Sequence, residues 1–393
     1  MKLFASSASY LGIDIGTSSI KMVELENLKG QAKLKTYGYA DVATNIMRGT
    51  VEKNNQAIAD YINLIAHKSR IETKQVIAAL PTFSVFNFII SLPPMPKKDL
   101  AAAIKWEAKK FIPVPIEEMI LDWKILNKKK IKPSSGAISG LFNKKIGGNQ
   151  ASEEMPNSDE PSAKGNVLND MVSNVAGTKN DDKNYRILLT AAPKNLVARY
   201  IDIFKKAKLN LLSLETEAFA LSRSLIGNDT STIMVVDIGS SNSDICIIED
   251  GVPVLNRGID TGGESITKAI MNSLNINQDR AEQFKRDFGL AATGSNQNIP
   301  DVIQKSLNSI INEIKYIFEI YQRQGATTID KIILTGGSAW LPNLPQYLSD
   351  LLKLPVVIGD PWDRIIYPLD LKPVLQEIGP RMAVSIGLAM RDI

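Results

Sequence analysis

Two short segments of this 393-residue chain carry the same chemistry in the same order. Asp14-Ile-Gly16-Thr17-Ser18-Ser19 follows the apolar run Leu11–Ile13 and leads into Ile20-Lys21. Asp237-Ile-Gly239-Ser240-Ser241-Asn242 follows Met234–Val236 and leads into Ser243-Asp244. Each reads as an apolar strand, an Asp-Ile-Gly bend, small polar side chains and a second strand. Glycine at a hairpin bend lets backbone N–H groups approach an anion closely, and hydroxyls add donors. An aspartate just before the bend can hold a hydrated metal ion. Two such hairpins make a cradle for a magnesium-bound polyphosphate. The backbone of Gly16–Ser19 and Gly239–Asn242 would carry the phosphates, Asp14 and Asp237 would hold magnesium through water, and Lys21 would be a counter-charge. The copies start 223 positions apart. That is too far for a solenoid repeat, so the spacing implies two lobes facing one ligand.

A third element is Leu334-Thr-Gly336-Gly337-Ser338-Ala-Trp340-Leu-Pro-Asn-Leu344. It reads as a strand, a glycine pair and a helix start. The glycines would let backbone lie flat against a nucleoside, and a helix N-terminus beside them would favour phosphate. Gly262-Gly263-Glu264 opens another helix, with Ile266, Ile270 and Leu274 on one face.

The positioning elements follow from hydrophobic period. Strands are expected at 10–15, 20–26, 32–39, 75–80, 85–92, 119–126, 185–190 and 331–334, with a short strand near 209 and more strand within 232–257. Helices are expected over 54–70, 194–208, from about 216, 279–288, 301–324 and 381–390. Asp99 reads as the N-cap of a helix whose stripe is Leu100, Ile104, Ala108 and Phe111. Trp106 lies off that stripe beside Lys109 and Lys110, where it would contact another subdomain or a partner. Residues 128–184 are rich in Lys, Ser, Gly, Asn, Glu and Asp, and read as a disordered insertion lengthening a hairpin loop.

Composition excludes several classes. One Cys and one His rule out a disulfide framework and a His/Cys metal site, and disfavour a Cys–His or Ser–His nucleophile. Cys246 lies in an apolar run and reads as core, and His67 as a helix-end residue. The net charge of +4 is spread along the chain without an aromatic–basic stripe, which argues against nucleic acid. No signal peptide and no 18-residue apolar run is present. The chain is expected to be cytoplasmic, without direct membrane insertion.

The three elements in this order resemble the actin-like ATPase superfamily of actin, heat-shock chaperones, sugar kinases and FtsA. The resemblance spans nearly the whole chain. It implies an α/β, two-lobed actin-like (ribonuclease H-like) ATPase fold holding ATP or ADP with Mg2+ between the lobes. It matches Glu282 and Lys285 to the motif that meets the ribose and adenine. Read from the residues alone, these two are a solvated i,i+3 pair. It also matches Gly262-Gly263 to the glycine pair beside the phosphates.

Closer similarity is to the PilM family of type IV pilus assembly proteins. It rests on Leu92–Pro115, with Ala103-Ile104-Lys-Trp106-Glu107-Ala108 and Phe111-Ile112-Pro113-Val-Pro115. Glu215-Thr-Glu-Ala-Phe-Ala-Leu-Ser-Arg223, Asn256-Arg-Gly-Ile-Asp-Thr-Gly-Gly263 and Ile386-Gly-Leu-Ala-Met-Arg391 match as well. The 128–184 insertion departs from the family. Membership implies an FtsA-like arrangement with a 1C subdomain in place of 1B. Subdomain 1A would take 1–84, 208–230 and 362–393. Subdomain 1C would take 85–207, 2A would take 231–262 and 326–361, and 2B would take 263–325.

The family sits at the cytoplasmic side of the inner membrane. It binds the N-terminal tail of the single-pass protein PilN in a groove between 1A and 1C, and links it to the motor ATPases. Phe86, Phe88, Ile90 and Trp106 are the expected groove walls. No residue that would activate water stands out, so at most slow hydrolysis is expected. The alternatives are a small-molecule kinase, an FtsA-like division protein, and the cytoplasmic part of a secretion-system protein. The second normally carries a C-terminal amphipathic helix and the third continues into a transmembrane segment. Neither is expected in a chain that stops at Ile393.

Overall fold

A computed structural model describes residues 8–42, 51–126, 184–291, 298–323 and 328–393. The segment expected to be an insertion lies outside these apart from Asn184. Three sheets organise the chain. Strands β1 (Ser9–Ile15), β2 (Ser19–Leu28), β3 (Gln31–Asp41), β4 (Gln75–Leu80), β8 (Asn210–Thr216) and β14 (Ile365–Ile366) form a six-stranded sheet in the order β14-β3-β2-β1-β4-β8. Strands β9 (Ile233–Ile238), β10 (Ser243–Glu249), β11 (Val252–Ile259), β12 (Lys331–Thr335) and β13 (Val356–Ile358) form a five-stranded sheet, β11-β10-β9-β12-β13. Strands β5 (Phe86–Leu92), β6 (Met119–Leu126) and β7 (Tyr185–Pro193) form an antiparallel sheet with β7 central. Leu126 pairs with Arg186, so β6 and β7 are partners across the long segment that separates them in sequence.

The strand that carries Asp14 is covered on both faces, which explains its unbroken apolar run. Leu11, Ile13 and Ile15 face helices α1 (Val51–Lys68) and α3 (Lys194–Lys206), through residues such as Ile58, Ile62, Tyr200 and Phe204. The alternate positions face helix α9 (Lys372–Ala389), and Gly12 is where that helix crosses. Strand β9 repeats the pattern. Met234, Val236 and Ile238 pack with helices α5 (Gly263–Leu274) and α7 (Asn298–Arg323). Ile233 and Val235 pack with Cys246, Ala383, Val384 and Leu388, in a core shared between the two sheets. Helix α4 (Glu217–Leu221) follows β8, helix α6 (Gln278–Phe288) lies beside α5, and helix α8 (Leu344–Leu352) precedes β13.

Two local expectations are corrected. The cap of helix α2 (Lys97–Ala108) is Pro96, and Asp99 sits inside the first turn. The last helix begins at Lys372, because Pro380 does not stop it. An interior proline normally costs a helix about 3 kcal/mol. Here Leu375, Met382 and Ile386 pack against Trp362 and β2, and that burial outweighs the lost bond. Strands β13 and β14 are too short to leave a readable period. Cys246 is core, and His67 sits in the last turn of α1.

A methyl group at position 12 would run into the Ser385 carbonyl oxygen and come within 2.7 Å of the Ala389 nitrogen. Gly12→Ala should therefore lower folding stability by about 1–3 kcal/mol, read as the urea midpoint. Gly337→Ala has open space around it and should leave the midpoint unchanged.

Candidate functional site

The two Asp-Ile-Gly bends have the same backbone geometry. Gly16 donates its N–H to the Ser19 carbonyl at 3.0 Å, and Gly239 donates to the Asn242 carbonyl at 3.0 Å. Asp14 pairs across its hairpin with Lys21, and Asp237 pairs with Asp244. The first hairpin therefore carries a lysine where the second carries a carboxylate. Lys21 Nζ bonds Asp14 Oδ2 at 2.7 Å, so its charge is committed to that carboxylate in this state. Burial acts to lower the Lys21 pKa, but Asp14 overrides it and the net shift is upward. Thr17 and Ser18 are partly exposed at the hairpin tip, and Ser19 is buried. The tip is held from behind by Val42 N–H on the Ser18 carbonyl, 2.8 Å.

The second hairpin gathers most of the other expected residues. Strand β12 runs parallel to β9 with Thr335 opposite Asp237, which brings Gly336 beside the aspartate. Gly336 has φ +85°, and a side chain there would strike the Asp237 carboxylate. Ser338 N–H reaches the Ile238 carbonyl at 3.2 Å. Gly337 is exposed with nothing nearby. Gly263 N–H donates to the Gly239 carbonyl at 2.9 Å and Glu264 N–H to the Ser240 carbonyl at 2.8 Å. A side chain at Gly262 would meet those carbonyls, and one at Gly263 would meet Ser338 Oγ. Ser241 Oγ bonds Glu264 at 3.3 Å, and Asn242 Nδ2 bonds Asp244 Oδ2 at 2.9 Å.

Glu282 and Lys285 meet at 2.8 Å on α6, and the Lys285 ammonium also reaches Thr267 Oγ1 at 2.9 Å and the Gly263 carbonyl at 3.2 Å. They are thus aimed at the glycine pair rather than merely at solvent. One geometric expectation is corrected. Helix α8 starts only at Leu344, with Asn343 as its cap, so no helix N-terminus lies at Gly336-Gly337.

Sequence reading missed three residues. Glu217 follows β8, and its Oε2 accepts from Thr82 N–H at 3.1 Å and Thr82 Oγ1 at 2.7 Å. Burial, then the facing Asp14, push Glu217 up to about 7. Burial pushes Asp237 up to about 6, with Asp14 adding to it and Lys21 opposing. Asp244 is raised well above the usual range by burial, Glu217 and Asp237, and its Oδ1 is buried without a hydrogen-bond partner. Asp14, Glu217, Asp237 and Asp244 therefore form one mutually repelling group from three sequence regions. No local pattern marks Glu217 or Thr82. Asp244 was visible only as the position matching Lys21.

The expected groove walls do not come together. Phe86, Phe88 and Ile90 share one face of β5 and are covered by α2, with Ile90 only 2% exposed. Phe88 stacks on Phe111 at 5.4 Å. Trp106 is on the opposite face of α2, 65% exposed. The period-two strand and the helix stripe both point into the same small core, so Trp106 has to point away from it.

Comparison with known proteins extends this geometry. The profile of the family described as type IV pilus assembly protein PilM matches residues 12–138 and 162–393. Only 139–161 interrupts it, a narrower departure than 128–184. Cell division protein FtsA of Enterococcus faecalis is 24% identical over 388 residues, covering 91% of this chain and 80% of that protein. The solved PilM-PilN type IV pilus biogenesis complex aligns with a TM-score of 0.74 at 24% identity, over 97% of this chain and 98% of that one. Ethanolamine utilization protein EutJ of Carboxydothermus hydrogenoformans aligns with a TM-score of 0.53 at 14% identity, over 98% and 89%. The fold is the two-lobed actin-like ATPase fold with an FtsA/PilM-type 1C subdomain.

The Glu217 carboxyl is raised from 4.5 to about 7 in the folded protein. Between those values the unfolded chain ionises while the folded one keeps its proton, so folding stability falls as pH rises from about 4.5 to about 7 and then levels. Glu217→Gln should make this decline shallower in denaturant titrations of the nucleotide-free protein.

Proposed function

The chain belongs to the PilM family of type IV pilus assembly proteins, and from that premise we propose that it is an ATP-binding cytoplasmic adaptor. It would bind the N-terminal tail of a PilN-like single-pass membrane protein and couple it to the pilus motor ATPases. Its place would be at the inner membrane, held there through partners. Among the described residues no helix is long and apolar enough to cross a membrane. The subdomain limits given above are part of this reading.

The observation that carries it is the matched pair of Asp-Ile-Gly bends, with the Gly336–Ser338 turn docked on the second. Backbone of Gly16–Ser19 and Gly239–Asn242 would hold the phosphates of ATP or ADP. Glu282, Lys285, Gly262, Gly263, Gly336, Gly337 and Ser338 would surround the nucleoside and the adjoining phosphates. Among the described residues no three carboxylates converge as direct metal ligands. Asp14 and Asp237 would hold a hydrated Mg2+ ion through its water, and its charge would offset the repulsion among the four carboxylates. Bound there, it would neutralise charge on the phosphates.

Glu217 is placed beside this pair and is kept near neutral pKa, which suits a group that takes a proton from water. We read it as the water-positioning residue that sequence could not supply. Its contact to Thr82 ties it to the loop before β5, so nucleotide state and 1C position would be linked. Turnover is expected to stay below ~1 per second, at the low end of enzyme rates, because the product of the cycle is a change in partner affinity. A tenfold change requires only about 1.4 kcal/mol of coupling.

Asp14→Ala should abolish Mg-ATP binding in calorimetry with an unchanged far-UV spectrum. Normal ATP binding by this variant would remove the first hairpin from the site. The wild-type chain should bind a synthetic N-terminal tail of the PilN-like protein saturably in the micromolar range, with an affinity that shifts with Mg-ATP. ATP binding without tail binding would leave the nucleotide site standing and sink the adaptor reading.

A further inference from the structure

Helix α2 spends one face on the core of the three-stranded unit and leaves the other to solvent. Leu100, Ile104 and Ala108 are buried, while Lys97, Lys98, Ala101, Ala102, Lys105, Trp106, Lys109 and Lys110 are exposed. At 3.6 residues per turn, Lys98, Ala102, Lys105, Trp106 and Lys109 form a continuous stripe opposite the buried one, which corrects the expectation that no aromatic–basic stripe is present. Trp106 is 65% exposed, the most exposed aromatic side chain among the described residues. Lys110 Nζ lies 4.3 Å from the centre of its ring.

The charges around the indole do not cancel. Lys110 pairs with Glu107 at 2.8 Å and Lys109 approaches Glu117 at 3.8 Å. Lys97, Lys98 and Lys105 make no ion pair among the described residues, and Asp99 is the one carboxylate on their side of the helix. Lys97 and Lys98 sit in the first helical turn, where the helix dipole disfavours cations. Local helix stability therefore does not account for them.

We propose that this outer face of α2 is a docking surface for the anionic headgroups of a lipid bilayer. An indole beside small alanines can settle at headgroup depth, while flanking ammonium groups meet lipid phosphates. A single convex helix with lysines around one aromatic suits a planar charged partner. Protein interfaces, by contrast, are depleted of lysine at their centres. The contact is adsorption rather than insertion. It is independent of the nucleotide and peptide-tail readings, although it would orient the 1C unit toward the membrane that a PilN-like partner spans.

The test uses the full chain, without nucleotide, sedimented with phosphatidylcholine vesicles with or without phosphatidylglycerol. Binding should require phosphatidylglycerol and weaken steeply as salt rises. Each lysine near a charged surface contributes roughly fivefold in affinity, so Lys98→Ala/Lys105→Ala should weaken binding by about 25-fold. Trp106→Ala should weaken it as well, and neither variant should shift the melting temperature. Equal binding to neutral vesicles would overturn the proposal. So would undiminished binding by the double-lysine variant, which would move the contact to another basic stretch such as Lys128-Lys129-Lys130. Preferential capture of a soluble poly-glutamate peptide over the anionic vesicles would reassign the surface to an acidic protein segment.

Discussion

Asp14, Glu217, Asp237 and Asp244 come from four strands or strand ends, yet they share one partly buried space in which Lys21 pairs with Asp14. Such a group is costly to keep ionised in low dielectric. Two of its members are accordingly held near neutrality, Glu217 at about 7 and Asp237 at about 6. Much of the surrounding structure serves to hold these groups where they repel. Strand β1 is buried on both faces, and the hairpin tip is clamped by Val42. Thr82 fixes Glu217 through two hydrogen bonds. A protein would not concentrate repulsion in this way for stability alone, and a hydrated divalent cation would relieve it.

Besides their shared core, the two large sheets are joined by hydrogen bonds at a place that also touches the site. The Pro380 carbonyl accepts from Thr335 Oγ1 at 2.8 Å and from Gly336 N–H at 3.0 Å. Helix α9 belongs with the first sheet and the Gly336 turn with the second, so this carbonyl couples them. The C-terminal end of this helix is anchored by charge. Glu215 is fully buried and pairs with both Arg223 and Arg391, the latter at 2.8 Å, while Arg223 Nε also donates to the Gly387 carbonyl at 2.8 Å. Removing one member of such a buried network leaves an uncompensated charge. A rearrangement of the two sheets about α9 therefore has a stiff pivot.

The three-stranded unit meets both large sheets. Helix α3 packs on α1, beside the first sheet. On the opposite side, Leu188, Phe219 and Val252 form a small cluster with Ile89 and Val254, which brings β5 and β7 against β11 of the second sheet. Strand β11 is the hairpin partner of β10, and β10 carries Asp244. A change at the carboxylates thus has a short, packed route to the small unit.

Local chemistry made the two Asp-Ile-Gly bends, the glycine pairs and nearly all the longer helices and strands legible, because turn residues and apolar period act over a few positions. The same period placed Trp106 off its helix's core face. What local pattern could not decide was anything set by distant neighbours. Helix α9 runs through Pro380 because its packing against β2 and Trp362 outweighs a local penalty. Ile90 is a core residue, and Phe86 and Phe88 are half-buried against the same core, because α2 packs on that face. Glu217 becomes a member of the site only when β8 is laid beside β4, 135 residues from the Thr82 that holds it. The amino-acid sequence by itself determined the two Asp-Ile-Gly hairpins, since a bend's geometry depends on its own residues. Only the tertiary structure decided which carboxylates share a space and which aromatic stays in water, since burial and charge repulsion depend on what packs opposite.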